Sequence, residues 1–246
     1  MESYELFAEL ASCNRLGILH CLKEKPMRFS AIAEEIDATS PELSRQLNRL
    51  AAAELITKDA EGSYSLTFLG ELVIEMIRPL ETIAGKAAFF RSHDASAVPP
   101  HLLRELEKLE GCETVNGVFE LVNMTDRLFG EIEEFAWYLS DSFPHFHLPA
   151  VEEKIGNGVN FRVIYPRRLV ESLSGELGPK IMHSAGVRIL DDIRIVINIS
   201  DRFGLLALPG RDGNIDRNLT LVGFDEDFRQ WCMDVFEYYW ERGSVY

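Results

Sequence analysis

The stretch "TSPELSRQLNRLAAAELITKD", Thr39 to Asp59, decides how the N-terminal part of this chain is read. Ser40 suits a helix N-cap, Pro41 the first helical position, and Glu42 the positive end of the helix dipole. Leu43, Leu47, Leu50 and Ala51 recur at i, i+4, i+7 and i+8, the spacing of one buried helical face. Ser44, Arg45, Asn48 and Arg49 fall on the other side. The period then changes. "LITKDAEGSYSLT" reads as a short strand, a polar turn containing Gly62, and a second strand of alternating pattern.

Upstream, "CNRLGILHCLKEK" places Leu16, Leu19 and Leu22 on one helical face, and Pro26 ends that helix. "FSAIAEEI" gathers Ile32, Ala33 and Ile36 on one side of another. Three helices followed by a hairpin describe a winged helix-turn-helix. The polar side of its third helix carries the chemistry of base reading. Arginine matches guanine O6 and N7 with two donors, and asparagine matches adenine. Hydroxyls near a helix N-terminus suit phosphates. The candidate DNA-binding residues are therefore Arg28, Ser40, Ser44, Arg45, Asn48 and Arg49, with Lys58 and Tyr64 on the hairpin. The competing reading makes Arg45 and Arg49 solvated residues paired with Glu42 or Glu54, an arrangement worth a few tenths of a kcal/mol, on the order of 0.3.

Charge bears on this choice. The chain of 246 residues has a formal net charge of −15, which opposes nonspecific attraction to nucleic acid. The N-terminal part itself has more Asp and Glu than Lys and Arg. Phosphate neutralisation then gives only modest, salt-sensitive affinity, and a dimer presenting two such faces compensates.

From Leu69 the apolar positions Leu69, Val73, Met76, Leu80, Ile83, Ala87 and Phe90 step alternately by four and three, as in a coiled-coil seam, with Pro79 interrupting it. The seam suits either a homodimer interface or packing against the rest of the chain. "RSHDASAVPPHLL" follows as a loop leading to a proline-started helix. The expected organisation is a winged helix-turn-helix over residues 1–78, a linker helix and loop over 79–110, and an α/β sensor domain over 111–246. In that last part "EFAWYLS", "FRVIYP", "VRILDD", "IRIVINIS", "FGLLALPG" and "NLTLVGF" are strand candidates. "LPAVEEKI", "PKIMHSAG" and "DFRQWCMDVFEYYWERG" are helix candidates. Ile193, Ile195, Ile197 and Ile199 alternate strictly, so at least one face of that strand is buried. The stripe Phe228, Trp231, Val235, Phe236 and Tyr239 in the closing helix reads as core, with a subunit contact as the minority reading.

Two sets of segments carry a family resemblance. "LSRQLNRLAAAELITKDAEGSYSLTFLG" resembles the recognition helix and wing of the arsenic-repressor-like winged-helix superfamily, with Glu54 where a glycine is usual near the helix end. "FFRSHDASAVPPHLLRELEKLEGCE" and "VINISDRFGLLALPGRDGNIDRNLTLVGFDEDFRQWCMDVFEYYWER" resemble the archaeal methanogenesis-regulatory family. That family joins such a head to a middle domain named after a methanogen filamentation regulator. The resemblance covers nearly the whole chain. It implies an archaeal, dimeric transcription regulator that binds double-stranded DNA, and it supplies no established ligand.

Some archaeal regulators of this architecture have sensor domains similar to the phospholipase-D superfamily, whose catalytic motif is His-x-Lys-x4-Asp. Setting Asp201 at the end of that spacing puts Arg194 and Val196 where the histidine nucleophile and the lysine belong. Phosphodiester hydrolysis is therefore not expected, and the alternative class is a ligand-binding or degenerate phosphodiesterase-like protein that does not bind DNA. No nucleophile elbow, P-loop or dinucleotide loop appears, so no cofactor is expected.

For the sensor, strand ends are the place to look in an open α/β domain. If their strands are parallel neighbours, His145, His147, Tyr165, Arg167 and Arg202 converge on one cleft suited to a small anionic effector. The alternative is that they are ordinary polar loop ends. His145 and His147 have a chelating spacing but no completing ligands nearby, so no metal is expected. The four cysteines form no CxxC pair and read as buried, reduced thiols, with redox sensing by Cys13 and Cys21 as the alternative. No apolar run approaches the ~20 residues that span a bilayer, and "MESYELFAEL" lacks the pattern of a signal peptide. A cytoplasmic protein with no membrane partner is expected.

Overall fold

The computed structural model describes residues 2–143, 148–172 and 186–245 and divides into two units, Met1–Arg78 and Pro79–Tyr246. In the first unit the elements run α1 (Ser3–Leu10), α2 (Cys13–Glu24), β1 (Met27–Arg28), α3 (Phe29–Glu35), α4 (Ser40–Ala52), β2 (Ile56–Lys58) and β3 (Ser63–Leu66). The three strands form an antiparallel sheet in the order β1-β3-β2. Helix α1 and strand β1 add to the elements read from the sequence. Ile18, Leu19 and Leu22 of α2, Ile32 of α3, and Leu43, Leu47 and Leu50 of α4 close one core beneath the sheet.

Thr39, rather than Ser40, is the N-cap of α4, and Ser40 is its first helical residue. At the other end Glu54 takes φ +57°, the left-handed conformation in which a glycine is unstrained. The turn is closed by Glu54 N–H to the Ala51 carbonyl and Leu55 N–H to the Leu50 carbonyl, both at 3.0 Å. Helix α5 (Phe68–Gly85) starts immediately after the hairpin and continues through Pro79; α6 (Ala87–Ser92) follows. Gly70 lets α5 pass the end of α4. A Cβ there would stand 2.1 Å from the Leu55 carbonyl oxygen.

The second unit is built on an eight-stranded mixed sheet. Its strands are β4 (Glu113–Asn116), β5 (Phe135–Leu139), β6 (Asn160–Pro166), β7 (Gly186–Leu190), β8 (Val196–Ser200), β9 (Gly204–Ala207), β10 (Leu219–Gly223) and β11 (Ser244–Val245). Their order is β11-β7-β6-β5-β8-β9-β10-β4. Strands β5-β6 and β6-β7 pair in parallel; β8 runs antiparallel to β5. Helices α7 (Val118–Glu131), α8 (Leu148–Gly156) and α9 (Arg167–Ser172) contribute to the core on one face, with Leu121, Leu128, Val151 and Val170 packing on Val163, Val196 and Leu205. The closing helix, Glu226–Arg242, covers the other face, where Ile197 and Ile199 meet Phe228, Trp231 and Phe236.

Strand β8 is therefore buried on both sides, since its period-two pattern sends Val196 one way and Ile197 the other. The closing helix's stripe is core: Phe228, Trp231, Val235 and Phe236 are fully enclosed, which leaves them no part in a subunit contact. Residues 79–110, read from the sequence as a linker helix and loop, belong to this unit. Phe89, Val98, Leu102, Leu106 and Leu109 lie in its core, and the Trp231 indole N–H donates to the Leu102 carbonyl at 3.1 Å. The missed signal was that core positions here sit in turns and 3-10 segments, which have no long period. The helix expected in "PKIMHSAG" falls almost entirely outside the described residues.

Candidate nucleic-acid interface and sensor cavity

Helix α4 presents two chemically distinct sides. Leu43, Gln46, Leu47 and Leu50 are buried, while Ser44, Arg45, Asn48 and Arg49 are exposed. Arg28 and Ser40 are exposed as well. In the hairpin Lys58 faces Tyr64 across the strand pair, and its ammonium lies 5.1 Å from the Tyr64 ring centre. The pairing of Arg45 with Glu42 does not form; the Glu42 carboxylate accepts from the Asn14 amide at 2.7 Å. Arg45 makes no ion pair among the described residues.

Arg49 does have a partner, and it comes from α1. Its Nε donates to Glu9 Oε2 at 3.0 Å and its Nη2 donates to Glu9 Oε1. The same carboxylate lies 3.1 Å from Nε of Arg15. Arg15 is 6% exposed and is held by the carbonyls of Glu9 and Ala8 and by Gln46 Oε1 at 2.7, 2.8 and 2.8 Å. The hydrogen bond from Arg49 is the main reason the Glu9 carboxyl is held below its ordinary range, with Arg15 adding to it against the cost of burial. Sequence reasoning missed Glu9, which is forty residues from its partner.

In the second unit the described residues separate one member, Arg202, from the expected cluster. His145 and His147 lie outside the described residues. Arg167 is exposed and paired with Asp191 at 3.0 Å. Arg202 is at the opposite end of the sheet from Tyr165. Because β8 is antiparallel to β5, its end at Ser200 lies beside Ala136 near the start of β5. There Arg202 bonds the Glu131 carbonyl and the carboxylates of Glu133 and Asp201. The convergence required parallel neighbours; β5 and β6 are parallel, but β8 runs antiparallel to β5, which takes Arg202 away from the ends of the other two.

What the structure does form is a cavity of about 350 Å³ between α7 and the face of the sheet. Its floor is two register rows. Tyr138, Asn198 and Leu205 are cross-strand neighbours in one; Val196 and Ala207 pair in the next, with Tyr165 beside them in the lining. Leu121 and Phe129 of α7 form the roof. Asn198 Oδ1 is buried with no hydrogen-bond partner among the described residues. Burial pushes the phenols of Tyr138 and Tyr165 well above their ordinary range, so both are neutral donors. Arg217 also borders the space, but its guanidinium is bound to the Asp141 carboxylate and, at 3.1 Å, to the Ser142 hydroxyl. Of the residues predicted for the sensor, only Tyr165 lines this cavity among those described.

A family model described as the methanogenesis regulatory protein FilR1, middle domain, matches residues 118–242, half of the chain. The chain belongs to this FilR1 family. A second model, the HVO_A0261 N-terminal domain, matches residues 5–87. The methanogenesis regulatory protein FilR1 of Methanothrix harundinacea (strain 6Ac) is 22% identical over 249 residues, covering 93% of this chain and 55% of the relative. The chain thus spans little more than half the length of that relative. Among solved structures, TrmBL2, an archaeal chromatin protein, aligns with a TM-score of 0.48 and 13% identity, covering 96% of this chain and 95% of that one. NucT from Helicobacter pylori aligns over 55% of this chain and 98% of its own, with a TM-score of 0.39 and 13% identity.

In this FilR1-family chain the residues at the phosphodiesterase spacing are kept apart. Arg194 precedes β8 and pairs with Asp94 at 2.8 Å, Val196 is buried in the cavity floor, and Asp201 follows β8 at its far end. The cysteines are all free thiols. Cys112 and Cys232 are buried, and burial pushes the Cys112 thiol up to about 11. Cys13 is exposed, against the reading of all four as buried, and burial raises the Cys21 thiol away from reactivity. Among the described residues no cluster of metal-ligating groups occurs, and no helix is long and apolar enough to cross a membrane.

Proposed function

We propose that this FilR1-family chain is an archaeal transcription regulator whose first unit binds double-stranded DNA and whose second unit is a sensor. The observation that carries the DNA reading is the two-sided α4. Four polar side chains suited to bases and phosphates are exposed on a helix whose other side is anchored in a core beneath a wing. Arg45 and Arg49 read base edges, Asn48 assists, and Ser40, Ser44, Arg28, Lys58 and Tyr64 contact the backbone. The name of the FilR1 relative agrees with a regulatory role.

The regulator acts in the cytoplasm as a homodimer. What supports the dimer is the side of α5 on which Leu69, Leu72, Met76, Leu80 and Ile83 are all exposed, Met76 by 70% and Leu80 by 58%. A run of apolar side chains at that spacing is a heptad-like stripe of the kind a second copy covers.

Selection of bound sequences from random duplex DNA tests the function. Enrichment of a two-fold symmetric site, lost in the Arg45→Ala, Arg49→Ala double variant, is the expected result. No enrichment at any salt concentration rejects DNA reading and favours a protein that only binds ligand.

A further inference from the structure

Along one border between the buried and the exposed side of α4 runs a row of polar residues, Glu42, Gln46 and Arg49, at i, i+4 and i+7. Each is bonded to one of the two N-terminal helices. Glu42 accepts from Asn14 of α2, Gln46 accepts from Arg15 of α2, and Arg49 donates to Glu9 of α1.

Gln46 is the buried member of the row, 6% exposed on a helix whose other buried residues are leucines. Its Oε1 accepts from Arg15 Nη1 at 2.8 Å. Arg15 is fixed in turn by the carbonyls of Ala8 and Glu9, at 2.8 and 2.7 Å. Those carbonyls stand at the C-terminal end of α1, where a helix leaves acceptors without an internal partner. Arg15 thus closes the end of α1, belongs to α2, and holds α4.

Burying an amide and a guanidinium costs free energy that another leucine at position 46 would not. What the pair supplies is direction. Apolar contact is non-directional, so the leucine row sets the distance of α4 from the core more firmly than its rotation about its own axis. Side chains reach about 5–6 Å from a helix axis, so a rotation of about 15° carries their ends through about 1.5 Å. Hydrogen bonds to base edges tolerate about 0.5 Å. Arg45 precedes Gln46 in the chain and Arg49 follows it by less than one turn, so rotation fixed at Gln46 is fixed for both.

We propose that Gln46, held by Arg15, is a positioning residue for sequence readout: it fixes the rotation at which α4 presents Arg45 and Arg49 to base edges. The inference rests on reading the first unit as the DNA-binding head. Gln46 acts through its neighbours, so its loss lowers discrimination between sequences and not attraction to the phosphate backbone.

Competition titrations of the full chain, with a site selected by the wild type set against random duplex DNA, measure that discrimination. Each protein is titrated well below its melting midpoint, where the unfolded fraction is negligible. Gln46→Leu, which keeps the volume and removes the acceptor, is expected to lower the ratio of specific to random affinity about tenfold while random-DNA affinity and its salt slope stay unchanged. Gln46→Glu keeps an acceptor for Arg15 and is expected to hold the ratio within about twofold of the wild type. Its added charge weakens all sequences alike and cancels in the ratio. If Gln46→Leu does not fold, Asn14→Ala replaces it, removing the bond to Glu42 in the same row, and the ratio is expected to fall in the same direction. An unchanged ratio in the variant used is the result of a merely stabilising role and overturns this inference alone. An equal fall in Gln46→Glu overturns it as well. A wild type that selects no site overturns the DNA reading and this inference with it.

Discussion

Arg49 on α4 and Glu9 on α1 are joined by two guanidinium–carboxylate hydrogen bonds, so a residue suited to reading DNA is already holding an acid of its own chain. The geometry explains how a chain of net charge −15 can line up arginines on one helix. Part of that positive charge is answered internally, and α1 is tied to α4 by it.

Glu9→Gln should therefore act in opposite directions on stability and on DNA affinity. Removing the carboxylate takes away an intramolecular competitor for Arg49, and binding to duplex DNA should tighten severalfold. Buried Arg15 loses the same partner, so the thermal midpoint should fall. A mobility-shift titration beside a melting curve reads both; a weaker complex would mean that Glu9 aims Arg49 rather than competing for it.

The same pair sets a pH dependence. The Glu9 carboxyl is held below its ordinary value, so its contribution is complete above the unfolded carboxylate range. It is lost as pH falls through the depressed folded value. Urea midpoints of the wild type and Glu9→Gln should differ near neutrality and converge in acid.

Arg45 makes no ion pair among the described residues and is the better probe of base readout. Arg45→Ala should cost about 1–3 kcal/mol on a selected site and little on random DNA. Lys58→Ala should weaken all sequences alike and lower the salt slope by about one. Competition titrations against random duplex DNA separate the two behaviours.

Glu54 occupies a left-handed position at φ +57°, so Glu54→Gly should stabilise the first unit by about 1 kcal/mol. Gly70→Ala should do the reverse, costing about 1–3 kcal/mol, because the new Cβ meets the Leu55 carbonyl oxygen at 2.1 Å and the backbone must shift. Chemical denaturation of each variant gives the sign directly.

Met76→Glu with Leu80→Glu should convert a dimer to a monomer in light scattering, since both side chains are exposed in the single chain and charge there costs a fold nothing. A monomeric wild type at micromolar concentration would dispose of the interface.

What was legible in the amino acids is what short-range periodicity can encode. The leucine spacing of α4, the turn at Gly62 and the alternation of Ile197 and Ile199 in β8 each specify an element through neighbours a few residues apart. They also specify which side of α4 faces water. Tertiary structure alone decided what depends on chain direction and distant partners. The antiparallel course of β8 placed Arg202 at the wrong end of the sheet for the expected cleft. It also put Asn198 beside Tyr138 in the floor of a cavity that no sequence spacing announces. Glu9 met Arg49 across forty residues for the same reason: a side-chain pair formed by packing leaves no local period to read.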